Sequence, residues 1–387
     1  MTNNQNFVVV GAGFAGSVIA RELAEAGRRV VVLEKRSHVS GNMYDEKDKY
    51  GFLIQKFGPH ILFTNSYEVV EYLSKYSRLI QHDCKMLSFI DGHFIQLPFN
   101  FKSILQLFGD QKGQIIVNKL RSNYPFEARV SIYDLMECGD QDISNFSKSL
   151  YKKAFEPYIS KMWDLSPTQI SKSVINRVKI CMGFDSRYLN CDFQYLPCKG
   201  FNSLIEKILN HENIQVKLDC DASAFLSFSN DSCLYKGSSA TTIIYTGRID
   251  ELFKERFGPL PYRSLLFDTK YFNARRKLPE EIISTPQDPL LIRKTEYKYF
   301  TPLPVKSAIN RTVVVTETPI DYDPNDDQSV PCYPIINEPN LALYKKYSDL
   351  SKKYKNLVLC GRLAEYQYFN MDQVILHALD ISKKILR

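Results

Sequence analysis

Hydrophobic residues set the first element: Phe7–Val10 is an unbroken apolar run rich in β-branched side chains, as expected for a strand buried on both faces. It runs into Gly11, Ala12, Gly13, Phe14, Ala15, Gly16, after which Ser17 to Ala26 takes helical spacing and Gly27 supplies a stop. Arg29 to Leu33 reads as a second strand, so the start of the chain predicts a βαβ unit. Further on, Phe101 to Ile170 has helical periodicity and few strand signals, while Phe184 to Phe201 and Arg263 to Pro319 hold strand-like stretches. A chain of 387 residues exceeds one comfortable core, so more than one domain is expected.

Composition narrows the function classes. With 44% hydrophobic and 24% charged residues the chain is globular, and 24 Tyr and 24 Phe suit a protein that stacks rings. The net charge of +7 comes from scattered Lys and Arg interleaved with acids. That pattern favours small anionic ligands over nucleic acid. Nine cysteines form no CxxC pair and no zinc spacing, which implies reduced thiols, a cytosolic setting and no metal site. The stretch Phe7 to Ala20 has no basic residues before it and is interrupted by glycines, unlike a signal peptide, and it is too short to span a bilayer.

The glycine series carries the first chemistry. Gly11 permits a tight turn, Gly13 lets backbone approach a pyrophosphate and Gly16 lets helix pack on strand, with the phosphates over the helix amino end; Phe14 and Ala15, between these glycines, are further cofactor-side candidates. Glu34 ends the second strand, where an acid takes ribose hydroxyls. Lys35 and Arg36 follow, then a second glycine turn at Ser40, Gly41, Asn42, a pattern that resembles the extended fingerprint of FAD proteins. One dinucleotide site and no redox cysteine pair argue against a two-dinucleotide reductase.

Five blocks in order resemble the UDP-galactopyranose mutase family: GNMYDEKDKYGFLIQKFGPHILFTN (41–65), YISKMWDLSP (158–167), IIYTGRIDELFKERFGPLPYRSL (243–265), LIRKTEYKYF (291–300) and CGRLAEYQYFNMDQVI (360–375). The resemblance implies an α/β protein of three parts. A discontinuous Rossmann-like FAD-binding domain would take residues 1–80, 203–260 and 340–387, an inserted helical bundle 98–175, and a twisted antiparallel sheet domain 81–97, 176–202 and 261–339. It implies a cytoplasmic homodimer acting in bacterial cell-surface polysaccharide synthesis, with FAD reduced by NAD(P)H or another flavin reductant. The implied activity interconverts pyranose and furanose forms of a nucleotide hexose. In it the reduced flavin N5 displaces the nucleoside diphosphate from the anomeric carbon, and the ring recloses from the resulting adduct.

Residue by residue, the resemblance places Arg293 on the diphosphate, with Tyr333 and Tyr368 beside it and Glu317 near the sugar. Tyr158 and the sole tryptophan, Trp163, would line the substrate cleft. His60 and Ile61 would sit near the flavin, with Arg263, Gly361, Arg362, Asn370 and Met371 as further cofactor-side positions. The pattern breaks on the substrate side. Phe63, Cys84, Cys181 and Asn370 stand where the family carries a histidine, an asparagine, a mobile-loop arginine and an acid. Phe63 cannot bond a sugar hydroxyl, which favours a 6-deoxy sugar such as that of dTDP-fucopyranose over galactose. Cys181 removes a cation, so Lys179, Arg187 or Lys199 is expected to reach the diphosphate. The rival readings are an FAD oxidase related to the amine oxidases, and a nucleotide-sugar-binding homologue without turnover.

Overall fold

The computed structural model describes residues 7–169, 178–238, 241–302, 308–326 and 328–387, so the last residue of the helical stretch ending at Ile170 lies outside the description. Phe7–Val10 is a strand, with Phe7, Val8 and Val9 at most 2% exposed, and it lies central in a five-stranded sheet. The order is Ile214–Lys217, Val30–Leu33, Phe7–Val10, Thr242–Tyr245, Leu357–Leu359, with every pairing parallel. Parallel strands need faces covered on both sides, which their continuous apolar runs accommodate.

The helix after the first strand spans Phe14–Glu25, three residues earlier than its polar periodicity suggests. Its first residues, Phe14, Ala15 and Gly16, are all buried, so no amphipathic alternation marks them. It packs against the last helix, Met371–Leu386, and against Gly200–Leu209. The second glycine turn lies on the first: Ser40 donates its amide to the Ala12 carbonyl at 2.8 Å.

A second sheet of seven strands runs in the order Tyr333–Pro334, Tyr262–Phe272, Thr312–Asp321, Arg293–Glu296, Ile282–Ser284, Met86–Ile90, His93–Leu97. It is antiparallel except where Ile282–Ser284 pairs parallel with Met86–Ile90, a pairing of strands almost two hundred residues apart that no local pattern announces. The stretch from Phe184 yields a strand only at Phe193–Pro197, in a small third sheet with Leu62–Thr64 and Leu79–Gln81.

Between residues 101 and 163 the chain is mainly helical, with helices Phe101–Phe108, Asp110–Asn123, Ile132–Met136, Gln141–Leu150 and Glu156–Trp163 and one short strand, Arg129–Val130, paired with Ile180–Cys181. The last two helices are joined by a wide π turn at Tyr151–Phe155. Pro157 accounts for the widening: it has no N–H for the carbonyl four residues back, and its ring would collide with that carbonyl in a regular helix. All nine cysteines are free thiols. Among the described residues no helix is long and apolar enough to cross a membrane.

Candidate active site

Two adjoining cavities lie where the parallel sheet, the large mixed sheet and the helices meet. The larger, about 600 Å³, runs over the carboxyl ends of the parallel strands. Gly11, Gly13, Phe14, Ala15, Glu34, Lys35, Arg36, Gly41, Asn42, His60, Gly361, Arg362 and Met371 all line it. Gly16 lies beneath it, where an added Cβ would fall 2.0 Å from the Gly11 carbonyl oxygen. Residues of the stretches 220–228 and 251–256 also line it; the first carries no motif, and the second lies in the block 243–265 without a residue type that marks it as lining.

The donors in this cavity suit a dinucleotide. Gly13 caps the Phe14–Glu25 helix without a side-chain bond, leaving the first amides for an anion. A Cβ on Gly13 would meet nothing within 4 Å, so the space above it is open. Arg36 gives one nitrogen to Asn42 Oδ1 at 3.0 Å, whereas its buried Nη1 has no partner. An unpartnered guanidinium nitrogen in the wall of a cavity is what a phosphate or ribose oxygen would satisfy. Glu34, 5% exposed, takes the amides of Ala12 at 2.8 Å and Arg36 at 3.0 Å, one on each oxygen. Each oxygen keeps a second lone pair for a hydroxyl, and the carboxylate opposes a phosphate at that place.

The smaller cavity, about 300 Å³, shares His60, Arg362 and Met371 with the first. Ile61, Phe63, Tyr158, Trp163, Arg293, Tyr333, Tyr368 and Asn370 also line it. Arg293 donates to Glu317 through Nε at 2.9 Å and Nη2 at 2.5 Å, one on each carboxylate oxygen, with Glu317 fully buried. The sheet register fixes this pair, since Arg293 lies directly opposite Glu317 on the neighbouring strand. Although burial works against its charge, Glu317 holds the Arg293 guanidinium well above its ordinary value, so it stays a cation. Tyr333 and Tyr368 stack at 5.7 Å with planes 6° apart, and Arg362 covers Tyr368 at 4.9 Å. Trp163 meets Tyr333 edge-on at 6.2 Å. Burial pushes the Tyr333 phenol up, which keeps it a neutral donor.

His60 joins the cavities. The chain turns at Gly58, whose φ of +94° favours glycine, and this brings its backbone beside the Arg293 guanidinium. The Gly58 carbonyl accepts from His60 Nδ1 at 2.8 Å. Burial, then the Arg362 and Arg293 charges, push the imidazole down to about 3, so the ring is neutral and its Nε2 is an acceptor. Stability tied to this neutral ring is complete above the unfolded value of 6.5 and is lost as pH falls towards 3. The expected NMR result is a His60 C2 proton that does not move between about pH 8 and 5. A titration midpoint near 6 would contradict the burial argument.

Not every expected residue arrives. Arg263 lines neither cavity: its guanidinium bonds the Met162 carbonyl at 2.9 Å and pairs with Asp321, bracing the end of the Glu156–Trp163 helix. Cys84, 1% exposed, sits behind the wall with its amide on Gln194 Oε1. Cys181, fully buried, bonds the Phe99 carbonyl through its amide and so supports a lining residue from behind. Arg187 is committed to Asp185 at 3.0 Å, and the exposed Lys179 and Lys199 line neither cavity. Sequence reading missed Tyr188, which lines the smaller cavity beside Phe63, their rings 6.4 Å apart. It also missed the apolar wall of Met86, Leu97, Phe99, Phe155 and Ile159.

The family described as "UDP-galactopyranose mutase" matches residues 153–368, and a Rossmann-like NAD(P)-binding domain matches 9–76. The UDP-galactopyranose mutase of Mycoplasma pneumoniae is 32% identical over 390 residues, covering 100% of this chain and 97% of that protein. The dTDP-fucopyranose mutase of Escherichia coli is 28% identical over 383 residues, covering 98% of each. A crystal structure of reduced UDP-galactopyranose mutase superposes with TM-score 0.73 at 14% identity, over 99% of this chain and 95% of that one, which shows the shared fold.

Proposed function

The chain belongs to the UDP-galactopyranose mutase family, and from that premise we propose that its larger cavity holds FAD and its smaller one a nucleotide diphosphate hexose, whose pyranose and furanose forms it interconverts. The observation that carries this reading is the buried Arg293–Glu317 pair and the stacked Tyr333–Tyr368 rings, opening into a cavity joined to a dinucleotide cradle through His60, Arg362 and Met371. Family membership also displaces the oxidase alternative.

When bound and reduced, FAD supplies a nucleophilic ring nitrogen for the anomeric carbon. The chain's own residues supply the rest. The Arg293 fork, fixed on one side by Glu317, and the Tyr333 and Tyr368 hydroxyls meet the diphosphate as charge accumulates on it. Trp163 and Tyr158 enclose the substrate and exclude water while sugar and nucleotide are apart. Neutral His60 presents a hydrogen-bond acceptor without competing for the anion. In the larger cavity Gly11, Gly13, Gly41 and Arg36 would take the pyrophosphate, and Glu34 a ribose. The three-part division at 1–80, 203–260 and 340–387; 98–175; and 81–97, 176–202 and 261–339 is supported by the strands of each large sheet falling within one part. Cytoplasmic location, a homodimer and an NAD(P)H-derived reductant complete the proposal.

Phe63 decides the sugar. An aromatic ring in the wall leaves a buried sugar hydroxyl unpartnered at a cost of about 1–3 kcal/mol, whereas a methyl gains about 0.8 kcal/mol. The 6-deoxy substrate should therefore be favoured by about 10- to 100-fold. The test is kcat/KM for UDP-galactopyranose and dTDP-fucopyranose with reduced, FAD-loaded protein, native and Phe63→His. Histidine is expected to shift the ratio about tenfold towards the galactose substrate. A native preference for UDP-galactopyranose, unchanged by the substitution, would refute this role for Phe63.

A further inference from the structure

The ammonium of Lys161 sits among four backbone carbonyls. Its three donors are shared among Thr285 O at 2.9 Å, Pro286 O at 3.2 Å, Leu291 O at 2.7 Å and, at closer range, Asp288 O. The four belong to one loop, which the Thr285 hydroxyl closes on itself by donating to Leu291 O at 2.8 Å. On the helix side, Lys161 lies between Tyr158 and Trp163, and Ile159 and Met162 also line the smaller cavity. On the loop side, Ser284 and Pro286 line the same cavity, and two residues past Leu291 comes Arg293. The cage thus joins the helix that presents the aromatic wall to the strand that presents the guanidinium.

From this juxtaposition we propose that Lys161 is a positioning residue: it fixes the distance between Tyr158 and Trp163 on one wall and Arg293 on the other, and thereby the width of the nucleotide-sugar cavity. The inference rests on the reading of that cavity given above. The residue type fits the task. An ammonium is a compact charge whose three donors point in separate directions, as a cage of carbonyls requires, whereas the planar fork of arginine cannot turn into it. A neutral side chain of the same length would leave Pro286 O and Asp288 O without the donor they have here, while Leu291 O would keep the Thr285 hydroxyl and Thr285 O the Asp288 amide, and the loop would move to find others. Arg263 braces the same helix end from the other sheet strand, through Met162 O, so the cage sets the loop side alone.

The sole tryptophan makes the proposal measurable, because emission from Trp163 reports on this wall. In FAD-loaded Lys161→Met, FAD content is expected to match the native protein, since other elements build the larger cavity. The UDP dissociation constant is expected to rise about tenfold or more, with the emission maximum of the unliganded protein displaced. KM should rise by a similar factor while kcat changes less, and Lys161→Arg should not restore binding. Should Lys161→Met fail to fold, Lys161→Ala in n-propylammonium supplies the missing atoms. Recovery of UDP binding there, and not in KCl of equal ionic strength, supports the proposal. Recovered melting temperature without recovered UDP binding overturns it. So does a folded Lys161→Met whose UDP affinity lies within about twofold of native. If the native protein itself binds no UDP, the functional reading falls and this inference with it, an outcome distinct from native binding that the variant shares.

Discussion

Arg293→Met is expected to lower kcat/KM by about 10²- to 10³-fold, the usual consequence of deleting one preorganised donor from the place where charge develops. FAD content should remain native, because Arg293 lines only the smaller cavity. The substitution also strands the carboxylate of Glu317, which is fully buried, and breaking such a pair costs about 3–5 kcal/mol of stability. These two effects separate in Arg293→Met/Glu317→Gln, where the uncompensated charge is gone. Its melting temperature should recover most of the loss, while its activity should stay as low as that of the single variant. Arg293→Lys keeps a charge but cannot meet both a carboxylate and a phosphate through parallel donors, so it should fall between native and methionine forms. Wild-type turnover in the methionine variant would remove the diphosphate from Arg293.

The second large effect contrasts two glycines of one turn. In Gly16→Ala the added carbon would lie 2.0 Å from the Gly11 carbonyl oxygen and 3.0 Å from Val9, so the turn must open. Both melting temperature and FAD content should fall sharply. In Gly13→Ala the carbon meets no protein atom within 4 Å, so the chain should fold with native stability. It would nevertheless project into the space over the helix amino end, and FAD affinity should drop about tenfold or more. Thermal melting and flavin absorbance of the two purified variants check this. Equal FAD content in Gly13→Ala and the native protein would place the pyrophosphate elsewhere.

What the sequence disclosed depended on how local each determinant was. The strand, glycine turn and helix at the start lie within 34 residues, and Gly11, Gly13 and Glu34 stand where their spacing puts them. Arg293, from the contiguous block 291–300, lines the smaller cavity, and Tyr333 lines it from outside the five blocks. Non-local determinants escaped. The parallel pairing of Ile282–Ser284 with Met86–Ile90 and the commitment of Arg263 to Met162 O depend on what the fold brings alongside. Cys84 and Cys181 show the same limit from the other side: aligned with polar site groups, they occupy buried positions behind the wall, where a small thiol packs well. Lys161, in the middle of a recognised block, carries no signal of its carbonyl cage, because the four acceptors are backbone atoms of a loop more than a hundred residues later.

On the proposed reading, the smaller cavity converts a nucleotide hexopyranose to its furanose with the help of reduced FAD in the larger one. Proton NMR of UDP-galactopyranose and dTDP-fucopyranose, incubated with the dithionite-reduced, FAD-loaded protein, tests it most directly. Anomeric signals of a furanose are expected to grow to a constant fraction with at least one of the two, and to be absent with oxidised protein. Unchanged pyranose spectra for both substrates, from fully reduced protein that retains its flavin, would contradict the account.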